Sequence, residues 1–168
     1  MKNTTFRFLT IAVMIMTLFI EGCKNNGIDL PTTPLKAGEL QATISPFGPF
    51  YATDCQVTDG GVANTYFVAA SVKDQNNNDS LVIHILIPKK TPPYTIDVQN
   101  DDVAVMDYCI TTATACITYQ SKKGIGSASV KITDATASNV QGTFSGTLPL
   151  ESGTGSVTIS SGEFNASF

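Results

Sequence analysis

The sequence predicts an all-β domain, an antiparallel meander that forms a β-sandwich or a partly closed β-barrel. Three observations point that way. Beyond residue 38 the chain is rich in Val, Ile, Thr, Phe and Tyr, side chains that suit a pleated, half-buried surface. Apolar and polar residues alternate there with period two, and turn formers recur roughly every 8–12 positions. No stretch of it sustains the 3.6-residue apolar period of an amphipathic helix.

Strands are expected at 40–45, 50–57, 65–73, 80–88, 94–98, 103–110, 115–120, 127–133, 140–149, 156–160 and 163–168. The first two, and those at 94–98 and 103–110, rest on β-forming composition between turn residues. The third and fourth make a hairpin around the polar run Asp74–Asp79. Centring its turn on Asn76-Asn77 pairs Val72 with Leu81, Ala70 with Ile83, Val68 with Ile85 and Tyr66 with Ile87, a wholly apolar face destined for the core. The opposite face carries Phe67, Ala69, Ser71, Val82, His84 and Leu86, also mostly apolar. Such a pair either lies between two layers or presents a patch to a ligand or partner, so Phe67, Ala69, Val82, His84 and Leu86 form the candidate interaction face.

The run Tyr108–Tyr119 is nearly symmetric about Thr112-Ala113, and a hairpin there sets Cys109 opposite Cys116 as a candidate disulfide. Cys55 is the alternative partner for either, or a buried thiol behaving as a small hydrophobe. In the closing strands Ala128, Val130 and Ile132 share a face, as do Val140, Gly142, Phe144, Gly146 and Leu148, and then Phe164, Ala166 and Phe168. The inward glycines mark bends or places where an aromatic ring lies over the backbone. Short local turns favour hairpins over parallel crossovers.

Ahead of this domain the chain carries a different signal. Lys2 and Arg7 precede an uncharged apolar run from Phe8 to Ile20, too short to span a bilayer as a helix. Ile20-Glu21-Gly22-Cys23 follows, and the whole resembles a bacterial lipoprotein signal peptide with cleavage between Gly22 and Cys23 and a lipid on Cys23. Buried acyl chains contribute about 0.8 kcal/mol per CH₂ to anchoring. The organisation expected is a signal peptide at 1–22, a flexible tether at 23–38 and one domain at 39–168. Lys24 follows Cys23 at the place where an acidic run would signal retention or surface export, so the periplasmic face of the outer membrane is the expected location.

Of 168 residues, 10 are basic and 14 acidic, for a net charge of −4. Without residues 1–22 the balance is 8 against 13, or −5. The basic pairs Lys89-Lys90 and Lys122-Lys123 are isolated, so neither nucleic acid nor an anionic membrane surface is an expected partner. Attachment falls to the lipid, and no other cofactor is implied.

Catalytic equipment is thin. The one histidine, His84, sits mid-strand in an apolar run with no Gly-x-Ser-x-Gly elbow nearby. Nucleophilic chemistry would need a cysteine beside it. Asp101-Asp102 point apart and share no proton. Asp74-x-Asn76-x-Asn78 copies the start of a calcium loop but lacks its sixth-position glycine and twelfth-position glutamate. No catalytic residue and no metal ligand set is therefore named.

The segments Pro93-Tyr94-Thr95-Ile96, Gly126–Thr133, Val140–Leu148 and Val157–Asn165 resemble the closing strands of small Bacteroidota envelope lipoproteins. Those proteins carry a β-rich domain of unknown function after a short linker. The resemblance covers most of residues 38–168, is strongest from about residue 90 onward, and lends structural positions only. Cys55, Cys109 and Cys116 depart from its pattern. The resulting expectation is a lipid-anchored, non-enzymatic binding or accessory module for a glycan, peptide or envelope protein. The alternatives are a lipocalin-like carrier of an apolar ligand and, last, an enzyme using a cysteine or carboxylate.

Overall fold

The computed structural model describes residues 30–61, 64–73, 80–112 and 115–168; Gly22, Cys23 and the Asp74–Asp79 loop lie outside them. The described chain is mostly strand: β1 (Glu39–Ser45), β2 (Gly48–Ala52), β3 (Gln56–Asp59), β4 (Thr65–Lys73), β5 (Ser80–Pro88), β6 (Tyr94–Asp97), β7 (Val105–Thr111), β8 (Cys116–Ser121), β9 (Ser127–Ala135), β10 (Asn139–Pro149) and β11 (Ser156–Ser167). They form one sheet in the order β6-β9-β10-β11-β3-β4-β5-β7-β8, with β1 and β2 branching from β11. The sheet curls into an open half-barrel. Its far strand β8 comes back to the end of β10, where Tyr119 bridges Leu150 and the Glu151 N–H donates to Thr118 O at 2.9 Å.

Strands close in sequence pair as the hairpin runs β3–β5, β7–β8 and β9–β11, as short connections between apolar strands require. Long-range pairs then join these runs. β6 crosses to pair with β9, β1 pairs with β11, and β11 meets β3 in parallel through Ser167 and Gln56. The β4–β5 register is the expected one, Tyr66↔Ile87 through Val72↔Leu81, and Val68, Ala70, Ile83, Ile85 and Ile87 are buried.

The core between the curled layers is filled by Tyr108, Phe164, Leu40, Ile44, Met106, Ile132, Leu148 and Ile159, among others. Two glycine–phenylalanine pairs organise it. Gly142 lies directly opposite Phe164 and Phe144 directly opposite Gly162 on β10 and β11. A Cβ on Gly142 would fall 2.7 Å from Phe164 Cζ, and one on Gly162 would fall 2.7 Å from Phe144 Cε2. Each ring covers the backbone of the glycine across from it, and the two rings sit 6.2 Å apart.

Five expectations change. The strand at 50–57 is two strands, because β2 belongs with β1 and β3 with β4. Between them Cys55 turns into the core, its N–H donating to Gly38 O at 2.8 Å and its carbonyl accepting from Ser167 N–H at 3.2 Å. The strands at 156–160 and 163–168 are one, β11, carrying a β-bulge. Opposite Phe144 and Gly146 stand Gly162 and Ile159, and β1 shows the same slip between Gln41 and Thr43. Ser161, at φ 51°, is at the bulge. Inward parity switches there, from Val157 and Ile159 to Gly162, Phe164 and Ala166, so a single strand mimics two. Phe168 does not continue the inward row; it is 57 % exposed and packs edge-on against Tyr66.

The fourth change is the start of β7 at Val105, because the Asp101 carboxylate takes the N–H groups of Val103 and Ala104 at 2.9 and 3.0 Å and holds them in a turn. The fifth is the β7–β8 register. Cys109 faces Thr118 and Thr111 faces Cys116, since the connection runs over residues 112–115 and closes with Thr112 N–H donating to Ala115 O at 2.8 Å. The Cys109–Cys116 disulfide is therefore diagonal across the hairpin, with Cα atoms 6.3 Å apart.

Two outcomes follow from this packing. Gly142→Ala places a methyl 2.5 Å from the Lys131 backbone oxygen, which cannot retreat as a side chain could, and should cost about 1–3 kcal/mol in a urea melt. Replacing Cys109 and Cys116 together by serine opens a loop with a sequence separation of 7 and should lower stability by about 2–3 kcal/mol; a wild-type midpoint for the double variant would contradict the crosslink.

Candidate functional site

The hairpin face picked out from sequence lies on the outer side of β4 and β5. Register sets Phe67 beside Leu86 and Ala69 beside His84, and all four, with Val82, are half-buried. The Phe67 and His84 rings sit 5.2 Å apart at 33°. A hollow of about 300 Å³ adjoins His84, bordered also by Asp54, Gln56, Ala69, Ser71 and Val82. Ser71 Oγ donates to Asp54 Oδ2 at 3.2 Å, so that serine is bound to a carboxylate and not to the imidazole.

The same outward rung continues from His84 to Asp107 on β7 and to Gln120 on β8. Gln120 Nε2 donates to Asp107 Oδ1 at 2.8 Å, while Gln120 Oε1 is buried and unpaired. Burial pushes the Asp107 carboxyl above the usual carboxylate range, against the opposing pull of the Gln120 hydrogen bond and the nearby His84 and Lys122; Glu151 pushes it further up.

Cys55 does not meet His84. It is fully buried on the core side, whereas its neighbours Asp54 and Gln56 border the outer hollow with His84. Burial, reinforced by the Asp54 charge, pushes the Cys55 thiol up to about 12, leaving it protonated at neutral pH and a poor nucleophile. Asp101 is held in its turn, and Asp102 pairs with Lys123. Among the described residues, no three His, Cys, Asp or Glu side chains gather to hold a metal ion.

A second site escaped the sequence reading. Across β6, β9, β10, β11, β1 and β2, register strings Thr95, Lys131, Thr143, Glu163, Gln41 and Tyr51 into one outward rung. Beside its middle the β11 bulge leaves a hollow of about 450 Å³, bordered by Lys131, Thr143, Glu163 and Gln41 along the rung and by Ser129, Ser145 and Ser161 below it. Gln41 Nε2 donates to Glu163 Oε2 at 3.3 Å, but Gln41 Oε1 is shut off from solvent without a partner, an arrangement that costs roughly 1–3 kcal/mol. Ser161 holds a left-handed backbone that glycine adopts more cheaply. Lys131 is exposed, and its ammonium has no ion-pair or hydrogen-bond partner among the described residues. Bulges and strained residues concentrate where a fold re-aims side chains for use. The signal for this site was the parity change between Ile159 and Phe164, which reads as an ordinary Ser-Gly turn.

The raised Asp107 pKa gives a signed prediction. The folded state holds its proton more tightly than the unfolded one, so stability falls as pH rises from about 3.9, the unfolded value, through the folded value. Above that window the loss is complete. Asp107→Asn, which keeps an oxygen facing Gln120, should flatten this part of the profile and raise the neutral-pH melting temperature; a lower melting temperature would contradict the assignment. Compared with protein-family models, with curated proteins and with solved structures, the chain matches none.

Proposed function

We propose that this protein is a lipid-anchored module of a bacterial cell envelope, with a β domain that binds or positions another molecule and performs no chemistry of its own. Anchoring rests on the Ile20-Glu21-Gly22-Cys23 tetrapeptide after a charged start and a short apolar run. The outer membrane, on its periplasmic face, is the compartment this favours. The incoming chain is pinned to the domain late. Leu35 is buried and its carbonyl accepts from Asn165 Nδ2 at 3.0 Å, so among the described residues the domain holds the incoming chain from Leu35 onward, about a dozen residues after Cys23.

The observation that carries the binding role is the polar hollow over the bulge, bordered by Gln41 with its unpaired amide oxygen, by the exposed Lys131 and by Ser161 in its left-handed backbone. Stability alone does not select for a buried amide oxygen left without a partner. A lipocalin-like carrier needs apolar room inside the barrel, and here large side chains such as Tyr108, Phe164 and Met106 occupy the interior, which supports the module.

Metabolic labelling with an alkyne fatty acid should mark the wild-type protein and leave Cys23→Ala unmarked, with the variant moving from the membrane to the soluble fraction. An unlabelled wild-type chain would remove the anchor from this account.

A further inference from the structure

We infer that the hollow over the Ser161 bulge binds a neutral, polyhydroxylated ligand, a sugar unit of a glycan. This rests on the binding-module reading and adds the ligand class. The volume, about 450 Å³, lies within the range of small-molecule sites. The chemistry of the border decides the class. Glu163 accepts hydrogen bonds only, Lys131 donates only, and Gln41, Thr143, Ser145 and Ser161 bring groups that do both. A sugar hydroxyl also donates and accepts, so each such group can meet either kind of partner.

Charge disfavours competitors that carry a single sign. Lys131 and Glu163 stand two strands apart on the same rung, roughly 10 Å at the usual strand spacing, with Thr143 between them. An anion seated by Lys131 would lie within reach of the Glu163 carboxylate, and a cation seated by Glu163 would face the Lys131 ammonium. A neutral ligand spanning the rung takes hydrogen bonds from both without either repulsion, and such bonds to charged groups are the stronger kind. Gln41 Oε1, closed off and unpaired while its own amide nitrogen is held by Glu163, supplies one further acceptor once Gln41 shifts to admit a donor hydroxyl.

The test is amide-resonance mapping on the full-length, isotope-labelled chain in detergent. The probes are glucose, galactose, mannose and N-acetylglucosamine at up to about 100 mM, enough to reveal millimolar affinity, with inorganic phosphate and glycine alongside. At least one sugar should shift the resonances of Thr143, Ser145 and Ser161–Glu163 saturably, while phosphate and glycine leave them in place. Lys131→Ala and Glu163→Gln should each weaken that sugar by about tenfold at an unchanged melting temperature, and Lys90→Ala should leave it unaltered. Shifts from phosphate or glycine alone would overturn the ligand class and keep the hollow as a binding site. Silence from every probe, or sugar shifts confined to another face, would overturn both.

Discussion

Two phenylalanine rings laid over two glycines, crosswise between β10 and β11, set the terms for the rest of the domain. Phe164 covers Gly142, and Phe144 covers Gly162. Bare backbone in mid-strand weakens a sheet unless something packs on it, and here each strand lends the other the missing side chain. Slipping the register by one residue would turn both rings to solvent. Val157 and Ile159 must point inward as well, and a regular strand cannot send both Ile159 and Phe164 to the same face. The extra residue at Ser161 resolves that conflict. The core therefore requires the bulge, and the bulge opens the outer hollow.

Much of this fold is legible in the residues. The β4–β5 register follows from apolar alternation on both sides of a polar loop, because only one alignment brings Val68, Ala70, Ile83 and Ile85 together. Gly142 under a ring was legible for a related reason, an inward glycine between inward apolar residues. Where the reading fails, a local device has overridden periodicity. Asp101 withdraws two backbone donors from the start of β7. The connection over residues 112–115 moves the partner of Cys109 two residues along, from Cys116 to Thr118, so that symmetry about Thr112-Ala113 misleads. The hollow was illegible because its rung joins residues as far apart in sequence as Gln41 and Glu163, and nothing local announces such a pairing.

The two outward surfaces differ in character. The β4–β5 face is half-buried and largely apolar, and it ends in an acid that burial disfavours. The face across β9, β10, β11 and β1 is hydroxyl-rich and carries one charge of each sign in its hollow. Burying Asp107 and stranding Gln41 Oε1 both work against stability, and native sheets keep such groups where a use offsets the cost. Cys55 is the contrasting case. Its thiol is sealed and protonated, and it fills space as valine might.

The position of β11 in the chain carries a consequence in time. This strand touches β10, β1 and β3, and Glu39 pairs with Asn165, nearly the whole domain apart in sequence. Chains are delivered from the amino end, so β1 has β2 beside it but waits for its other neighbour until β11 follows. Loops of that length close slowly. The pairing of β1 and β3 with β11 is complete only once residue 167 has been delivered, whereas local hairpins such as β4–β5 need no part of it.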